Sequence, residues 1–172
     1  ALSITADNQT KCGGVAFNFA GSEYSSTGLV NGDVISTVDI TSAGSGSGAL
    51  LSGAPYSIAI ANATGANLSN YTITYNSGTL SMNARPVVSV SVTETSGTTS
   101  NDGILCSGDN VLLNSSASTA GSGSISGRVW NDLGTSTTNS ISTGLAGTYN
   151  VTVTNSNGCS TTSTGNTITV LT

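Results

Sequence analysis

The chain has 172 residues and consists mainly of small uncharged residues, with 30 Ser, 27 Thr, 22 Gly and 17 Asn. Charged residues make up only 6% while hydrophobic residues reach 36%, so the chain lacks the composition of a disordered protein. It has no histidine and only three basic residues against eight acids, for a net charge of −5, so we expect no enzyme, no cofactor, no nucleic-acid partner and no membrane insertion.

The first half of the sequence alternates apolar and small polar residues with a period of two, which is typical of half-buried β-strands. Asn76-Ser77-Gly78 has turn chemistry and is predicted to close a hairpin onto a strand over residues 79–82. The segment 27–33 fits either one helical turn or a loop. The residues expected to face inward are Leu2 and Ile4; Val34, Val38 and Ile40; Tyr56, Ile58 and Ile60; and Tyr71, Ile73 and Tyr75.

A domain boundary is predicted near Asn83-Ala84-Arg85-Pro86, because a fresh alternating run begins directly after it. The chain is therefore interpreted as all-β, with two tandem small β domains at 1–84 and 85–172. In the second, six or seven short strands separated by Gly and Asn turns indicate an immunoglobulin-like sandwich. Trp130 and Tyr149 are predicted to pack in its core, with the Tyr149 hydroxyl bracing a loop.

The cysteines allow more than one arrangement. Cys106 and Cys159 could both lie at one end of the sandwich, where a disulfide would stabilise the domain by roughly 4 kcal/mol. The alternative is two buried free thiols. Cys12 is then left over and is expected to fill an apolar position as a small side chain, with pairing between molecules as the less favoured alternative. Thiol catalysis is not expected, since no histidine is present to activate it.

Two further chemistries remain open as alternatives. Asp102, Asp109 and Asp132 fall in loops that could meet at one end of the second domain, and their oxygen ligands would suit calcium. No local run supplies several such ligands, so we predict no metal site. Lys11, the only lysine, could form an intramolecular isopeptide with a buried acid such as Glu23, although a solvated lysine is the ordinary finding.

Short segments resemble known repeat families. ITADNQTKCGG, STGLVNGDVIS and NYTITYNSGTLSM resemble the MBG-type repeats of giant bacterial surface adhesins, which often have Lys-x-Tyr-Gly where this chain has Lys11-Cys12-Gly13. ILCSGDNVLL, AGTYNVTVT and NSNGCS, together with Trp130, are similar to the PKD- or Ig-like repeats of secreted Bacteroidetes proteins. This second resemblance implies that Cys106 pairs with Cys159. The tandem combination resembles SprB-like gliding-motility adhesins.

The resemblance implies a structural repeat segment of a large secreted adhesin filament that spaces or presents an adhesive region. We expect an extracellular, cell-surface location, a monomeric fragment of a longer protein, and neighbouring repeats of the same chain as partners. An extracellular polysaccharide or other surface ligand is a further candidate partner. One alternative is a carbohydrate- or protein-binding module that uses the loops at 101–109 and 156–160; another is a pair of accessory domains of a secreted enzyme.

Overall fold

The computed structural model describes residues 1–171, and its regular structure is almost entirely β. The helical elements of that range are two short 3-10 turns, Leu51–Gly53 and Leu68–Asn70. The all-β prediction is therefore confirmed. The chain divides into two compact units, Ala1–Asn83 and Ala84–Thr172, whereas the sequence placed the boundary one residue later.

The first unit contains two sheets. The strands are β1 Leu2–Ala6, β2 Gln9–Cys12, β3 Tyr24–Thr27, β4 Thr37–Thr41, β5 Tyr56–Thr64, β6 Ile73–Asn76 and β7 Gly78–Asn83. One sheet has the order β3-β1-β6, in which β1 runs antiparallel to β3 and parallel to β6. The other has the order β2-β7-β5-β4, in which the β2-β7 pair is parallel and the remaining pairs are antiparallel.

The core of the first unit follows from strand alternation. In β1, every second side chain points to the same face, so the apolar residues are buried while the Ser and Thr between them stay partly accessible. Segments without strand pairing also contribute, since Phe17 and Phe19 pack on the core and meet edge to face with ring centroids 5.0 Å apart. The buried residues of this core are Leu2, Ile4, Ala6, Val38, Ile58, Ile60, Leu68 and Leu80.

The predicted hairpin at Asn76-Ser77-Gly78 is wrong. β6 pairs with β1, whereas β7 pairs with β2 and β5 in the other sheet, so the chain changes sheets at this point. A two-residue hairpin turn requires positive φ, and none of these three residues has it. Gly78 passes the Ala6 carbonyl so closely that a Cβ would lie 2.5 Å from its oxygen.

The structure answers two further expectations for the first unit and contains two strands that the sequence did not predict. Val34 and Tyr75 were expected to face inward but are exposed, because Val34 precedes β4 in a loop and Tyr75 lies near the end of β6. The segment after β3 is a loop that turns at Asn31-Gly32 and contains no helical turn. Strands β2 and β3 were not predicted, because their residues, QTKC and YSST, show little alternation of apolar and polar side chains.

The second unit contains the strand pairing of an immunoglobulin-like sandwich. Its strands are β8 Ser91–Thr93, β9 Ile104–Cys106, β10 Val111–Asn114, β11 Ile125–Trp130, β12 Ser140–Thr143, β13 Gly147–Tyr149, β14 Val151–Asn155, β15 Ser160–Thr162 and β16 Asn166–Leu171. They form three three-stranded sheets, in the orders β8-β10-β12, β11-β14-β15 and β13-β16-β9, and a single residue separates β13 from β14.

Trp130 and Tyr149 lie in the core of the second unit. Trp130 is fully buried, and its indole N–H donates to the Thr138 carbonyl at 3.0 Å, which satisfies the one polar atom of the ring. The Tyr149 hydroxyl donates to the Leu145 carbonyl four residues upstream, at 3.1 Å. This is the tyrosine corner characteristic of immunoglobulin-like domains, and it ties the loop before β13 to the start of that strand.

Candidate functional site

Strand register defines the two ends of the second unit. Thr154 lies opposite Ser160 at one end, which we call the Ser160 end. The strand segment runs back to Gly147, seven residues away, and covers about 23 Å at 3.3 Å per residue. Cys106 lies opposite Leu171 beyond that point, and we call this the Cys106 end. Residues near Ser160 and residues near Cys106 are therefore far apart.

The predicted disulfide between Cys106 and Cys159 is wrong. Cys106 is a free, exposed thiol, whereas Cys12 and Cys159 are disulfide-bonded. A disulfide needs Cα atoms closer than about 7 Å, but Cys106 and Cys159 lie at opposite ends of the unit. Alternation adds to this, since Leu105 points into the core and directs Cys106 outward. Cys12 is therefore not the unpaired cysteine that the sequence suggested.

The two loops proposed as one binding surface, 101–109 and 156–160, lie at opposite ends of the second unit for the same reason and cannot act together.

The loop residues at the Cys106 end form a hydrogen-bonded acidic cluster. The buried Glu94 carboxylate accepts the N–H groups of Ser96 at 2.5 Å and Asp102 at 3.0 Å. The Ser96 hydroxyl donates to Asp109 at 2.7 Å and accepts the N–H of Cys106 at 2.6 Å. These acids therefore fix the loop backbone.

No cation-binding arrangement emerges from these acids. Asp102 accepts the N–H of Ile104 at 2.8 Å, and Asp132 accepts both the hydroxyl and the N–H of Ser136 at 2.6 and 2.7 Å. The hydrogen bonds from Ser136 lower the pKa of Asp132 below its ordinary value. Within residues 1–171, no group of three or more His, Cys, Asp and Glu side chains could hold a metal ion. The calcium alternative near Asp102 and Asp109 therefore has no donor cluster to support it.

A small cavity of about 110 Å³ opens beside the tyrosine corner, between the loops that flank β12. Asp132, Leu133, Ile141, Leu145 and Tyr149 contribute to its lining, and Leu133 is 95% exposed. Ligand pockets for small molecules usually occupy about 300–1,000 Å³, so this cavity is too small for such a ligand.

A wider recess of about 360 Å³ lies in the first unit beside β4. Its lining is apolar except for Asp39 and Thr41, and the Asp39 carboxylate already accepts the side-chain amide of Asn62 at 2.7 Å. The recess is broad and open, with no set of polar groups converging on one point. It therefore lacks the feature that orients a bound small molecule.

Asn155 is a buried polar residue at the Ser160 end. Its amide nitrogen donates to the carbonyls of Ala84 at 3.0 Å and Ala120 at 2.9 Å. Its amide oxygen accepts the N–H groups of Asn157 at 3.1 Å and Cys159 at 3.0 Å. All four hydrogen-bonding positions of the amide are thus filled. Sequence analysis missed this role, although an Asn at the next inward position after Val151 and Val153 was the available signal.

The isopeptide alternative finds no support in the surroundings of Lys11. The side chain is buried, and its ammonium donates to the carbonyls of Ser45 at 3.2 Å and Gly46 at 2.6 Å. Glu23 instead accepts the backbone N–H groups of residues 20–22, and the bond from Ala20 is the largest cause of its lowered pKa. Lys11 thereby anchors the loop at 42–48, which is rich in glycine and serine. Lys11 and Glu23 therefore have separate partners.

A second polar group links two loops of the first unit. Asp33 accepts the side-chain amide of Asn67 at 2.8 Å and the hydroxyl of Tyr71 at 2.7 Å, and these bonds lower the pKa of Asp33. The same bond to Asp33 raises the pKa of Tyr71. The Tyr71 oxygen also accepts the N–H of Val30 at 3.0 Å, so the loop around residue 31 is connected to the loop before β6.

Comparison with known proteins finds a similarity for the first unit only. No helix among residues 1–171 is long and apolar enough to cross a membrane. No curated protein matches the chain. The family model described as MBG domain (YGX type) matches residues 2–81, slightly less than half of the chain, and this range covers almost the whole of the first unit. Over residues 2–81 the first unit is therefore similar to MBG domains of the YGX type.

Proposed function

We propose that the chain is a structural segment of a large secreted cell-surface adhesin filament, where it spaces or presents an adhesive region during attachment or gliding. The observation that carries this proposal is the match of residues 2–81 to the MBG domain family, followed directly by a second β unit. The resemblance of the second unit to repeats of secreted Bacteroidetes proteins supports the same role.

The separate cores of the two units support a tandem arrangement. Each unit buries its own apolar cluster, eight residues in the first and nine in the second. A unit with a complete core can be repeated along a chain without depending on a distant segment, as domains of long surface proteins require.

The exposed strand faces suit a protein that is surrounded by water. Hydroxyl groups pair across β14 and β15, with Thr152 and Thr162 oxygens 2.8 Å apart and Thr154 and Ser160 oxygens also 2.8 Å apart. β-branched Thr is favoured in strands, and its hydroxyl keeps the outer face hydrated without adding charge. Such a surface supports a spacer role.

We further propose that the segment has no enzymatic activity. The sequence contains no histidine, and Glu23, Glu94 and Asp132 all use their carboxylates to hold nearby backbone N–H groups. A carboxylate committed to a turn in this way is poorly placed to exchange protons with a substrate.

Antibodies raised against this folded fragment provide the test. In intact cells that express the parent protein, they are expected to label the outer surface, to lose that label after brief external proteolysis, and to reduce attachment or gliding. A label that appears only after the cells are lysed would contradict the proposal. Saturable binding of the isolated fragment to one class of glycans would instead favour a binding module.

A further inference from the structure

The chain contains two Asn-Gly pairs, Asn31-Gly32 and Asn157-Gly158, and all four residues are exposed. An Asn followed by Gly can modify itself, because the glycine nitrogen attacks the asparagine side-chain carbonyl carbon when no Cβ stands in the way. The attack requires a glycine N–H that is free to lose its proton and a backbone that can rotate. The two pairs differ in the first respect, the state of the glycine N–H.

Asn31 and Gly32 occupy the two central positions of a tight turn. Both have positive φ, 58° and 77°, and the turn is closed by one main-chain hydrogen bond, from the N–H of Asp33 to the carbonyl of Val30 at 3.0 Å. The N–H that closes this turn therefore belongs to Asp33, the residue after Gly32, and not to Gly32 itself. Within the part of the chain that the structure describes, the Gly32 N–H and the Asn31 side chain have no hydrogen-bond partner.

In the second pair, Asn157 and Gly158 occupy the third and fourth positions of their turn, one position later than Asn31 and Gly32 do in theirs. Gly158 is the last residue of the turn, and its N–H donates to the Asn155 carbonyl at 3.0 Å. The N–H of Asn157 donates to the Asn155 side chain, and Asn155 and Cys159 are joined by two more hydrogen bonds. The attacking nitrogen is therefore occupied, and the backbone around it is held by several bonds.

We propose that Asn31 is a site of spontaneous deamidation in the folded protein, whereas Asn157 is protected. The Gly32 nitrogen loses its proton and forms a bond to the side-chain carbon of Asn31. The bond from that carbon to the amide nitrogen breaks, and ammonia leaves with the proton. Water then opens the resulting five-membered imide at either carbonyl to give aspartate or isoaspartate. The net reaction consumes one water, releases one ammonia and involves no oxidation or reduction.

The modification changes both charge and structure. The net charge goes from −5 to −6, since a neutral amide becomes a carboxylate. Isoaspartate also adds one carbon to the main chain within a two-residue turn, so the hydrogen bond from Asp33 to Val30 can no longer close with the same geometry. The bonds of Asp33 to Asn67 and Tyr71 depend on that turn and weaken with it.

The test is a time course on the folded chain at mildly alkaline pH, followed by peptide mapping and mass spectrometry. The peptide with Asn31 is expected to gain about 1 Da at least about tenfold faster than the peptide with Asn157, because the Gly158 N–H must first break its hydrogen bond to the Asn155 carbonyl. After reduction and unfolding, the two sites are expected to react within about threefold of each other, since their local sequences are alike.

Two variants show which of the two asparagines causes the change in net charge that anion-exchange chromatography measures. Asn31→Asp already carries the product charge and is expected to show no further shift with time, whereas Asn157→Asp is expected to shift as the wild type does. Equal rates at the two sites in the folded chain would overturn the proposal. So would a charge shift that persists in Asn31→Asp.

Discussion

Replacing Asn155 with alanine tests how the Ser160 end of the second unit is held together. The side chain is 1% exposed and joins three separate segments, namely the start of the unit at Ala84, the loop at Ala120 and the turn that ends at Cys159. Alanine removes the amide and leaves two carbonyls and two N–H groups without these partners, among them the buried N–H of Cys159. We expect a large loss of stability from this single substitution.

The magnitude follows from the four hydrogen bonds. Each contributes about 0.5–1.5 kcal/mol net, so the loss is about 2–6 kcal/mol. A domain of this size has about 5–15 kcal/mol of stability in total. At about 4–8 °C per kcal/mol for a small domain, a loss near 4 kcal/mol lowers its Tm by about 15–30 °C.

The assay is thermal and urea unfolding of the whole chain, with tryptophan fluorescence as the readout. Trp130 is the only tryptophan and lies in the core of the second unit, so its signal reports that unit alone. Asn157→Ala is the matched control, because it removes the same side-chain amide from an exposed position of the same turn. It is expected to change stability by no more than about 0.5 kcal/mol.

Asn155→Asp separates hydrogen bonding from packing. The variant keeps the shape and the acceptor oxygen but turns a carboxylate toward the carbonyls of Ala84 and Ala120. Burial and those carbonyls raise the pKa of the new carboxyl in the folded state, so the variant should regain stability as the pH falls through that raised value. A loss below about 1 kcal/mol for Asn155→Ala, or a pH-independent loss for Asn155→Asp, would refute the reasoning.

Three further predictions concern other side chains. One thiol per folded chain, Cys106, is expected to react with a maleimide, and three after reduction in denaturant; Cys106→Ser should abolish the first reaction only. The lowered pKa of Asp33 means that its stabilising contribution is present above the ordinary carboxyl pKa and disappears as the pH falls through the lower folded value. Tyr71→Phe should therefore make the Tm less sensitive to acid than it is in the wild type. Tyr149→Phe, which loses the bond to Leu145, should cost about 1 kcal/mol by urea unfolding, and no loss would show that the tyrosine corner contributes nothing.

Strand content and most inward-facing residues could be predicted because they depend on local alternation. Leu2 and Ile4 in β1 and Val151 and Val153 in β14 are buried as the period of two requires. Prediction failed where the pattern was weak, as in the polar strand β2. It also missed Asn155, because a polar residue at an inward position is informative only when its partners are known, and those lie 35 and 71 residues away.

The amino-acid sequence by itself determined that this protein is a β protein with two successive cores, since alternation and turn residues act over a few neighbouring positions. Only the tertiary structure decided which strands pair and in what register. That register separates Cys106 from Cys159 and directs β6 and β7 into different sheets. It also leaves the Gly32 N–H without a hydrogen-bond partner among residues 1–171, while the Gly158 N–H is bonded. The physical reason is that pairing partners are distant along the chain, so contacts across the whole fold select among arrangements that local sequence leaves equally favourable.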